Sequence, residues 1–351
     1  MFDIEPLKIF WLESLGEYSE VIISTRVRLA RNISGYPFPS RATREDREKV
    51  REEAYSALSQ INLFRGALWT EMDGLHSLDR QFLMERHLIS KEMLSNGVGG
   101  GLMVRRDEDL GVMVNEEDHL RLFALCPGFA PQDAYIKVNE LDDLLCLELD
   151  IAFHKDYGFL TSCPTNVGTG MRVSVLAHLP GLVVTKRIRE VVNWLRESGY
   201  SVRGIYGEGS QVVGNIFQIS NHLTLGKEEE EIVEGVERVV KKIVSREYEA
   251  RQQIYLSARL EIEDKIWRAY GTLSHARLVS SEELLGLLSL VRMGVGLGIL
   301  KGISLQDLNK VMICAQPAHI QKVEGEQMGP VIRDQRRATI IRSFLKGGIG
   351  L

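Results

Sequence analysis

The sequence predicts an α+β fold followed by an all-helical C-terminal region. Short β-leaning runs at residues 101–106, 111–115 and 118–126 alternate with acidic turns, which is the pattern of an antiparallel meander. Beyond residue 250, strand signals largely vanish and helical periodicity takes over. We therefore expect two domains, one of residues 1–250 and one of residues 251–351.

Helical periodicity is clearest where apolar residues recur three or four positions apart. Residues 43–60 carry such a stripe behind Thr43, a residue type that caps helix N-termini. Further helices are predicted at residues 78–94, 134–153 and 228–252, and the last begins with glutamates that the helix dipole favours. The other predicted elements are strands at residues 171–179, 201–206 and 212–219, and helices at residues 186–197, 257–270, 281–293, 305–314 and 335–345.

The composition is that of an ordinary globular protein. Of the 351 residues, 44% are hydrophobic, 26% are charged and 7% are aromatic, which fits neither a disordered nor a fibrous chain. The net charge of -5 gives no global basic field of the kind that attracts nucleic acid. We expect no direct nucleic-acid partner.

The cysteines and the apolar segments indicate the compartment. Four cysteines lie far apart without Cys-x-x-Cys spacing, and the histidines show no metal-ligand spacing, so neither a metal site nor a disulfide framework is indicated. Residues 1–15 lack the basic start and apolar run of a signal peptide. Residues 284–303 are apolar but interrupted by Arg292, which predicts a buried helix and turn. We therefore expect a cytoplasmic protein without a membrane partner.

Two arginines, Arg26 and Arg28, occupy alternate positions in the run STRVR at residues 24–28. On a strand they would point to the same side, and planar, permanently charged guanidinium groups suit the binding of phosphate. An isolated Arg-x-Arg more often marks a polar strand face with incidental basic residues. This motif alone decides little.

The run CPTNVGTG at residues 163–170 is more specific. It places a thiol, Cys163, beside a proline, an asparagine and two glycines, without the period of a helix or a strand, where the backbone could approach a ligand closely. Free cysteines are usually small buried hydrophobes, but the polar, glycine-rich surroundings argue against that interpretation here. A thiolate at this position could hold a cationic guanidinium in line with a phosphoryl group.

Acidic residues cluster in the run NEEDHLR at residues 115–121. A solvated turn between strands would explain them. Alternatively, a carboxylate could grip a guanidinium by a two-pronged hydrogen bond and accept its proton, because a guanidinium is a poor nucleophile until it is deprotonated. The run VRGIYGE at residues 202–208 offers a further arginine and carboxylate in a glycine-containing loop.

Together these motifs resemble the catalytic domain of the phosphagen (guanidino) kinases, over roughly residues 20–250. The resemblance implies a large, mainly antiparallel sheet flanked by helices, and ATP as phosphoryl donor with Mg2+ carried by the nucleotide. It implies that Glu117 and Glu208 orient and deprotonate the guanidinium and that Cys163 is the reactive cysteine. The implied nucleotide-binding residues are Ser24, Thr25, Arg26, Val27, Arg28, His87, Arg121, Arg172, Val173, Ser174, Val175, Leu176, Arg203, Gly204, Ile205, Tyr206, Gly207 and Glu208.

The arrangement of this chain departs from that of the small-molecule guanidino kinases. Those enzymes carry a helical domain before the catalytic part, whereas here 23 residues precede Ser24 and residues 251–351 follow the catalytic part. An open site of this kind could admit an arginine of a protein, an arrangement similar to the bacterial protein arginine kinases. That resemblance implies phosphoarginine marks that direct proteins to a Clp ATPase and protease, action on the heat-shock repressor CtsR, an activator named McsA, and a homo-oligomer.

The C-terminal run RDQRRA at residues 333–338 is a candidate regulatory site. Charge pairs on an amphipathic helix would explain it without any ligand. Arginine forks could instead capture a doubly charged phosphate while Asp334 pairs the guanidinium of a phosphoarginine. In the protein arginine kinases this motif forms a phosphoarginine-binding pocket, so the resemblance favours Arg333, Asp334 and Arg337 as such a pocket.

Two other functions remain open from the sequence. The chain could be a kinase for free arginine or another small guanidino compound. It could also be a non-catalytic adaptor that binds phosphoarginine through its helical region, although the presence of Cys163, Glu117, Glu208 and the five implied arginines argues against an inert kinase fold.

Overall fold

The computed structural model describes residues 4–13, 15–204 and 212–346. In these residues the strands are β1 (Ile22–Arg31), β2 (Leu68–Glu71), β3 (Gly101–Val104), β4 (Leu110–Val114), β5 (Leu120–Pro127), β6 (Phe153–His154), β7 (Gly158–Phe159), β8 (Met171–His178), β9 (Tyr200–Arg203) and β10 (Ile216–Asn221). The helices are α1 (Arg44–Gln60), α2 (Ser77–Glu85), α3 (Lys91–Asn96), α4 (Pro131–Glu148), α5 (Pro180–Val184), α6 (Ile188–Glu197), α7 (Glu229–Ser257), α8 (Arg259–His275), α9 (Ser281–Gly296), α10 (Leu305–Cys314), α11 (Pro317–Glu324) and α12 (Pro330–Lys346).

Eight of the described strands form one antiparallel sheet in the order β2-β3-β4-β5-β1-β8-β10-β9. The predicted meander is confirmed as β3, β4 and β5, each paired with the next. From α8 onward the described residues form helices only. The predicted α+β class, with a mainly antiparallel sheet flanked by helices and an all-helical C-terminal region, is therefore confirmed.

Strand β1 lies at the centre of the sheet between β5 and β8. Its alternate residues Val27 and Leu29 are fully buried in a core that also contains apolar residues of α1, α4 and α7. Because side chains alternate across a strand, Arg26 and Arg28 lie on the opposite face. One face of β1 thus supplies core packing and the other presents charge.

Helix α1 begins as its sequence predicts. The hydroxyl of Thr43 accepts the backbone N–H of Asp46 at 3.1 Å, and the carboxylate of Asp46 accepts the N–H of Thr43 at 2.9 Å. This reciprocal capping box satisfies two donors that the first helical turn leaves unpaired.

The single helix predicted over residues 78–94 is wrong, because the chain forms α2 and α3 with a break between them. The break contains Arg86, whose fully buried guanidinium pairs with Glu108 at 2.5 Å, and His87, which has a left-handed backbone with φ of 61°. Ser90 then caps α3 by accepting the N–H of Met93 at 3.0 Å. A long-range ion pair and a local cap override a continuous helical pattern.

The helix predicted over residues 134–153 ends too late. Helix α4 stops at Glu148, after which Ile151 bridges to Ile33 and the short strand β6 pairs with β7. Two short helices, α5 and α11, were not predicted. Each spans fewer than nine residues and begins at a proline, which is a start signal but leaves little periodicity to detect.

Helix α7 is longer than predicted and continues to Ser257, so the predicted domain boundary near residue 250 lies within it. Its buried Glu247 accepts the N–H groups of Gly181 and Leu182 at 2.8 and 2.9 Å and the Nε of Arg251 at 2.7 Å. One carboxylate therefore caps α5 and fixes it to α7. The division of the chain into two domains stays a prediction.

None of the described helices is both long enough and apolar enough to cross a membrane. The apolar stretch around residues 284–303 forms most of α9 and the turn after it, as predicted. Arg292 is buried there and donates to Asn309 Oδ1 at 2.5 Å and to the carbonyl of Ser19. This arginine thus ties the helical region to the residues just before β1.

Arg31, the last residue of β1, is fully buried and forms an ion pair with Asp142 of α4. Its Nη2 lies 2.6 Å from Asp142 Oδ2, and its Nη1 donates to the carbonyls of Ala30 at 2.9 Å and Thr169 at 2.8 Å. The guanidinium therefore links the central strand, the helix behind it and the loop that precedes β8.

Removal of the carboxylate in Asp142→Ala is expected to lower the free energy of unfolding by about 3 to 5 kcal/mol, because the buried guanidinium of Arg31 loses its nearer carboxylate and keeps only Glu229 at 3.5 Å. Urea unfolding followed by circular dichroism measures the change. Asp264→Ala is the matched control, since it breaks a pair with Arg268 whose side chains are 60% and 78% exposed. That control is expected to change stability by less than about 1 kcal/mol, and an equal loss in both variants would contradict the prediction.

Candidate active site

A cavity of about 600 Å³ opens on the charged face of the sheet. Strands β1, β5, β8, β9 and β10 and the segment from Met84 to Asn96 contribute to its wall. It brings together many residues that the sequence predicted: Ser24, Arg26, Arg28, His87, Glu117, Arg121, Cys163, Arg172, Ser174, Val175, Leu176 and Arg203.

Strand register explains why the arginines converge. Arg28 of β1 stands directly opposite Arg172 of β8, and Arg26 stands opposite Ser174. On the other side of β1, Arg121 of β5 stands opposite Ala30. Directly opposite residues of an antiparallel pair project to the same face, so three neighbouring strands deliver their guanidinium groups to one surface.

The arginines are crowded and partly desolvated. Desolvation, and then repulsion from Arg121, lower the pKa of Arg26 to about 9, so it remains charged at neutral pH. Desolvation and the neighbouring arginines lower the pKa of Arg28 well below its ordinary value and also lower that of Arg172. Buried nitrogens of Arg26 (Nε and Nη2) and Arg28 (Nε) have no hydrogen-bond partner within the described residues. Unsatisfied cationic donors of this kind fit a polyanionic ligand.

His87 enters the cavity from the break between α2 and α3. Desolvation, followed by the charges of Arg26 and His319, lowers its pKa to about 4, so the imidazole is neutral at physiological pH. The indole of Trp11 meets it edge-on, with ring centroids 6.1 Å apart. These rings form a less charged wall beside the arginines.

The acidic turn before β5 is bound to one of the arginines. Arg121 Nη1 lies 2.7 Å from Glu116 Oε1, and Arg121 Nη2 lies 2.8 Å from Glu117 Oε2. The Glu116 side chain is 1% exposed and also accepts the Ser90 hydroxyl at 2.5 Å, whereas the Glu117 side chain is 40% exposed. Glu116 therefore holds the arginine in place, and Glu117 remains open to a ligand.

Glu117 has the electrostatic setting of a base. Desolvation raises its pKa, and the nearby Asp118 and Glu116 raise it further against the opposing effect of Arg121. Asn166 connects it to the arginines across the cavity, since its Nδ2 lies 3.5 Å from Glu117 Oε2 and its Oδ1 accepts Arg172 Nη2 at 3.3 Å. A carboxylate with a raised pKa accepts a proton more readily at neutral pH.

The loop that carries Cys163 is fixed at both ends. Gly168 and Gly170 have φ of 110° and 64°, and an added Cβ would lie within 2.7 Å of the Thr224 carbonyl and 2.6 Å of the Ala30 carbonyl, respectively. Thr224 Oγ1 in turn donates to the carbonyls of Thr165 and Val167. The glycines thus allow the loop to pack tightly against β1 and against the residues that follow β10.

The thiol and the acidic turn share an anchor. Cys163 Sγ lies 3.0 Å from Thr165 Oγ1 and is partly exposed. Asp118 Oδ1 accepts the N–H of Ser162, next to Cys163, at 2.6 Å, and also Asn32 Nδ2 at 2.7 Å. The loop of the cysteine and the turn of Glu117 are therefore held by one buried carboxylate.

Some predicted nucleotide residues lie away from the cavity. The side chains of Thr25, Val27 and Val173 are fully buried on the opposite face of the sheet, where Thr25 Oγ1 donates to the Gly128 carbonyl at 2.7 Å. Gly204 is buried directly after β9. The predicted residues Ile205, Tyr206, Gly207 and Glu208 lie outside the described residues.

The predicted phosphoarginine residues lie on α12, away from the cavity. Arg337 is 1% exposed and donates from Nε to the Ala315 carbonyl and from Nη1 to the Val279 carbonyl, each at 2.8 Å. It also pairs with Asp334. Arg333 is half-exposed. Arg337 therefore has a structural role in this conformation, and Arg333 is the more accessible cation.

Among the cavity residues to which the sequence alone gave no role, Glu116, Asn166 and Trp11 bear most on the site. Glu116 was part of the acidic run but was assigned no role, and Asn166 was noted only as a neighbour of the glycines. Trp11 comes from the segment before β1, and its buried Nε1 has no hydrogen-bond partner within the described residues. The acidic run could have pointed to Glu116, whereas Asn166 and Trp11 reach the site through contacts between distant segments that no local pattern shows.

Two family profiles match the chain. The domain described as "ATP:guanido phosphotransferase, C-terminal catalytic domain" matches residues 49–250, which is more than half of the chain. The chain belongs to the ATP:guanido phosphotransferase family. The domain described as "Protein-arginine kinase McsB C-terminal domain" matches residues 259–348.

Full-length relatives confirm the predicted enzyme class within this family. The protein-arginine kinase of Desulforamulus reducens is 46% identical over 338 residues, which cover 95% of each chain. That of Bacillus subtilis is 42% identical over 337 residues, which cover 95% of this chain and 93% of the relative. The protein is thus a protein-arginine kinase. Its family uses ATP as the phosphoryl donor.

Solved structures of guanidino kinases share the fold. Lombricine kinase aligns with a TM-score of 0.59 and 24% identity, covering 70% of this chain and 72% of that one. The duplicated taurocyamine kinase from Schistosoma mansoni aligns with a TM-score of 0.60 and 24% identity, covering 76% of this chain but 40% of that longer one. At 24% identity, these two comparisons show a shared fold and nothing more.

Glu117→Gln is expected to lower kcat by about 100-fold or more, because a positioned general base typically contributes that much. In the unsubstituted protein, the acid limb of the kcat/KM profile should lie above the ordinary pKa of glutamate, since desolvation raises the pKa of Glu117 and activity needs the ionised form. The profile between pH 5 and about pH 9 measures both effects. Asp107→Asn is the control, because this exposed carboxylate lies in the β3–β4 turn, away from the cavity. An acid limb at the ordinary pKa of glutamate would contradict a role for Glu117 as the base.

Proposed function

We propose that this protein-arginine kinase transfers the γ-phosphoryl group of ATP to the guanidinium of arginine side chains in proteins. The observation that carries the proposal is one cavity in which clustered arginines with unsatisfied donors lie beside a partly exposed carboxylate, Glu117, and a partly exposed thiol, Cys163. Phosphoryl transfer requires this combination of positioning and charge neutralisation.

The nucleotide would be held by the charged strands. Arg26, Arg28, Arg121, Arg172 and Arg203 would surround the phosphates. Donor-rich guanidinium groups on rigid strands need no reorganisation when charge develops on the transferring group. Mg2+ carried by ATP would neutralise charge on the phosphate oxygens.

His87 and Ser24 would contact the rest of the nucleotide, beside Trp11. His87 is neutral at physiological pH, which suits a wall that faces a base rather than a phosphate. Of the further assignments, Ser174, Val175 and Leu176 line the cavity on β8. Thr25, Val27, Val173 and Gly204 lie away from the cavity and would support the neighbouring contact residues of β1, β8 and β9. Ile205, Tyr206, Gly207 and Glu208 complete the proposed set from outside the described residues.

The acceptor would be held by Glu117, Glu208 and Cys163. One nitrogen of the acceptor guanidinium attacks the γ-phosphorus, the bond to the β-γ bridging oxygen breaks, and ADP leaves. The proton lost by that nitrogen passes to a carboxylate, for which Glu117 is suited by its raised pKa. The sulfur of Cys163 would hold the guanidinium in line during the transfer.

A protein acceptor is favoured over a small one. The relatives that match 95% of the chain carry the description protein-arginine kinase, whereas the lombricine and taurocyamine kinases share the fold at 24% identity. A free-arginine kinase is the alternative. An inert adaptor accounts poorly for Glu117, Cys163 and the clustered arginines in one cavity.

The proposed cellular role rests on the resemblance to the bacterial protein arginine kinases. Phosphoarginine would mark proteins for a Clp ATPase and protease, the repressor CtsR would be a substrate, and McsA would activate the enzyme in the cytoplasm. The four cysteines form no disulfide with one another, which accords with that compartment. Exposed Leu256 and Leu260, 75% and 82% accessible, offer apolar surface for a homo-oligomer.

We also propose the two-part division into a catalytic part, residues 1–250, and a helical part, residues 251–351, that binds phosphoarginine. The two family profiles meet between residues 250 and 259, which supports the boundary. In the helical part, Arg333 would be the accessible phosphate ligand. Asp334, which is partly exposed and pairs with Arg337, would also pair the ligand guanidinium. Arg337 would shape the site from beneath through its bonds to backbone carbonyls.

Incubation with Mg-ATP and an unstructured arginine-containing protein is expected to yield acid-labile phosphate on arginine, because the site is built for a guanidinium. Intact-protein mass spectrometry followed by fragmentation that preserves the phosphoramidate localises it. The same protein with lysine at every arginine position is the control substrate. Faster turnover of free arginine would favour the small-molecule alternative, and phosphate found only on serine or tyrosine would contradict a guanidino kinase.

Arg333→Ala is expected to weaken phosphoarginine binding by about tenfold, because a charge-assisted hydrogen bond to phosphate is lost. Isothermal titration with a phosphoarginine peptide measures the affinity. Arg336→Ala is the matched control, since Arg336 lies on the same helix and faces Glu324 at 3.5 Å. Equal weakening in both variants would place the binding site elsewhere.

A further inference from the structure

His87 reaches the cavity from a strained turn. It has φ of 61° although it is not a glycine, and a left-handed backbone is strained for a residue with a side chain. Left-handed residues of this kind persist where the surrounding structure over-determines them. The residues that precede His87 must therefore be held firmly.

Glu85, two residues before His87, is held by the C-terminal helices. Its carboxylate accepts the backbone N–H of Ala318, 3.0 Å from each oxygen, and that of His319 at 3.1 Å. His319 Nδ1 lies 2.9 Å from the same carboxylate, whose side chain is 2% exposed. The carboxylate thus closes the N-terminus of α11, where a negative charge is favoured. Helix α2 ends on this contact.

Arg86 is held from the opposite side. Its guanidinium donates to Glu108, which lies between β3 and β4, and to the carbonyls of Lys8 at 2.5 Å and Pro6 at 3.3 Å. The two residues before His87 are therefore anchored independently, one to α11 and the other to the β-sheet and the N-terminal segment. Between these anchors the backbone has little freedom to relax its left-handed turn.

Helix α11 is itself well supported. The ring of His319 packs on Phe82 of α2 with centroids 4.5 Å apart, and Lys322 pairs with Asp79 at 2.6 Å. From α12, Arg337 donates to the carbonyl of Ala315, which ends α10 two residues before α11 begins. The position of α11 therefore depends on the packing of the C-terminal helices.

We propose that Glu85 is a positioning residue for nucleotide binding: its grip on α11 holds the turn that presents His87 to the cavity. No described residue of α8–α12 lines the cavity, yet through this carboxylate these helices fix part of its wall. The inference rests on the proposed role of His87 at the nucleotide.

Glu85→Gln tests the proposal, because it keeps the shape of the side chain but replaces one accepting oxygen by a donor. We expect KM for ATP to rise about tenfold, with KM for the protein substrate and kcat at saturating ATP changed by less than about twofold. Asp79→Asn is the matched control, since it weakens another α2–α11 contact eight residues from His87. Its KM for ATP should stay at the unsubstituted value.

His87→Ala provides the reference. If it raises KM for ATP while Glu85→Gln does not, the nucleotide role of His87 stands and the positioning role of Glu85 is overturned. If His87→Ala leaves KM for ATP unchanged, the proposed nucleotide contact fails and the inference fails with it. Equal increases in Glu85→Gln and Asp79→Asn would indicate general loosening of α2 and would also overturn it.

A second variant covers the case in which Glu85→Gln does not fold, as judged by thermal unfolding. His319→Ala removes the side-chain donor and leaves both backbone donors to Glu85 in place. A smaller rise in KM for ATP, about threefold, supports the proposal. An unchanged KM in a folded His319→Ala protein overturns it.

Discussion

Mutual repulsion among arginine side chains on the central strands is the constraint around which the molecule is arranged. Arg26 and Arg28 lie on the strand beside Arg172 and near Arg121, and desolvation makes their charges expensive. A flexible scaffold would let them separate. Strand β1 is buried on its other face and lies between two antiparallel strands, so it is rigid. This rigidity keeps the charged side chains close together in the absence of a bound anion.

The rest of the site compensates for this charge without cancelling it. The nearly buried Glu116 fixes Arg121, and Asn166 bridges from Arg172 towards Glu117. A fully neutralised cluster would have no free donors for a phosphate. A partly neutralised one keeps unsatisfied nitrogens on Arg26 and Arg28 within the described structure, which preserves affinity at the expense of stability.

Local signals in the sequence predicted the features that depend on local geometry. The alternation of side chains along β1 predicted that Arg26 and Arg28 lie on one face, and the structure confirms it. Thr43 predicted the start of a helix, and it caps α1. The break at His87 was missed because its cause, the pair of Arg86 with Glu108, joins residues far apart in the chain. The structural role of Arg337 was missed for a similar reason, since its partners are backbone carbonyls of other segments.

The two hydrogen bonds of Asp118 bear on the choice of arginines that the enzyme would modify. Because it accepts from Ser162 and Asn32, the loop of Cys163 and the turn of Glu117 form one rigid template. In the proposed mechanism, this template would bind the planar guanidinium itself and would contact few of the residues around it. One enzyme would then act on arginines in unrelated sequences. The accessibility of an arginine on the substrate protein would decide whether it is modified.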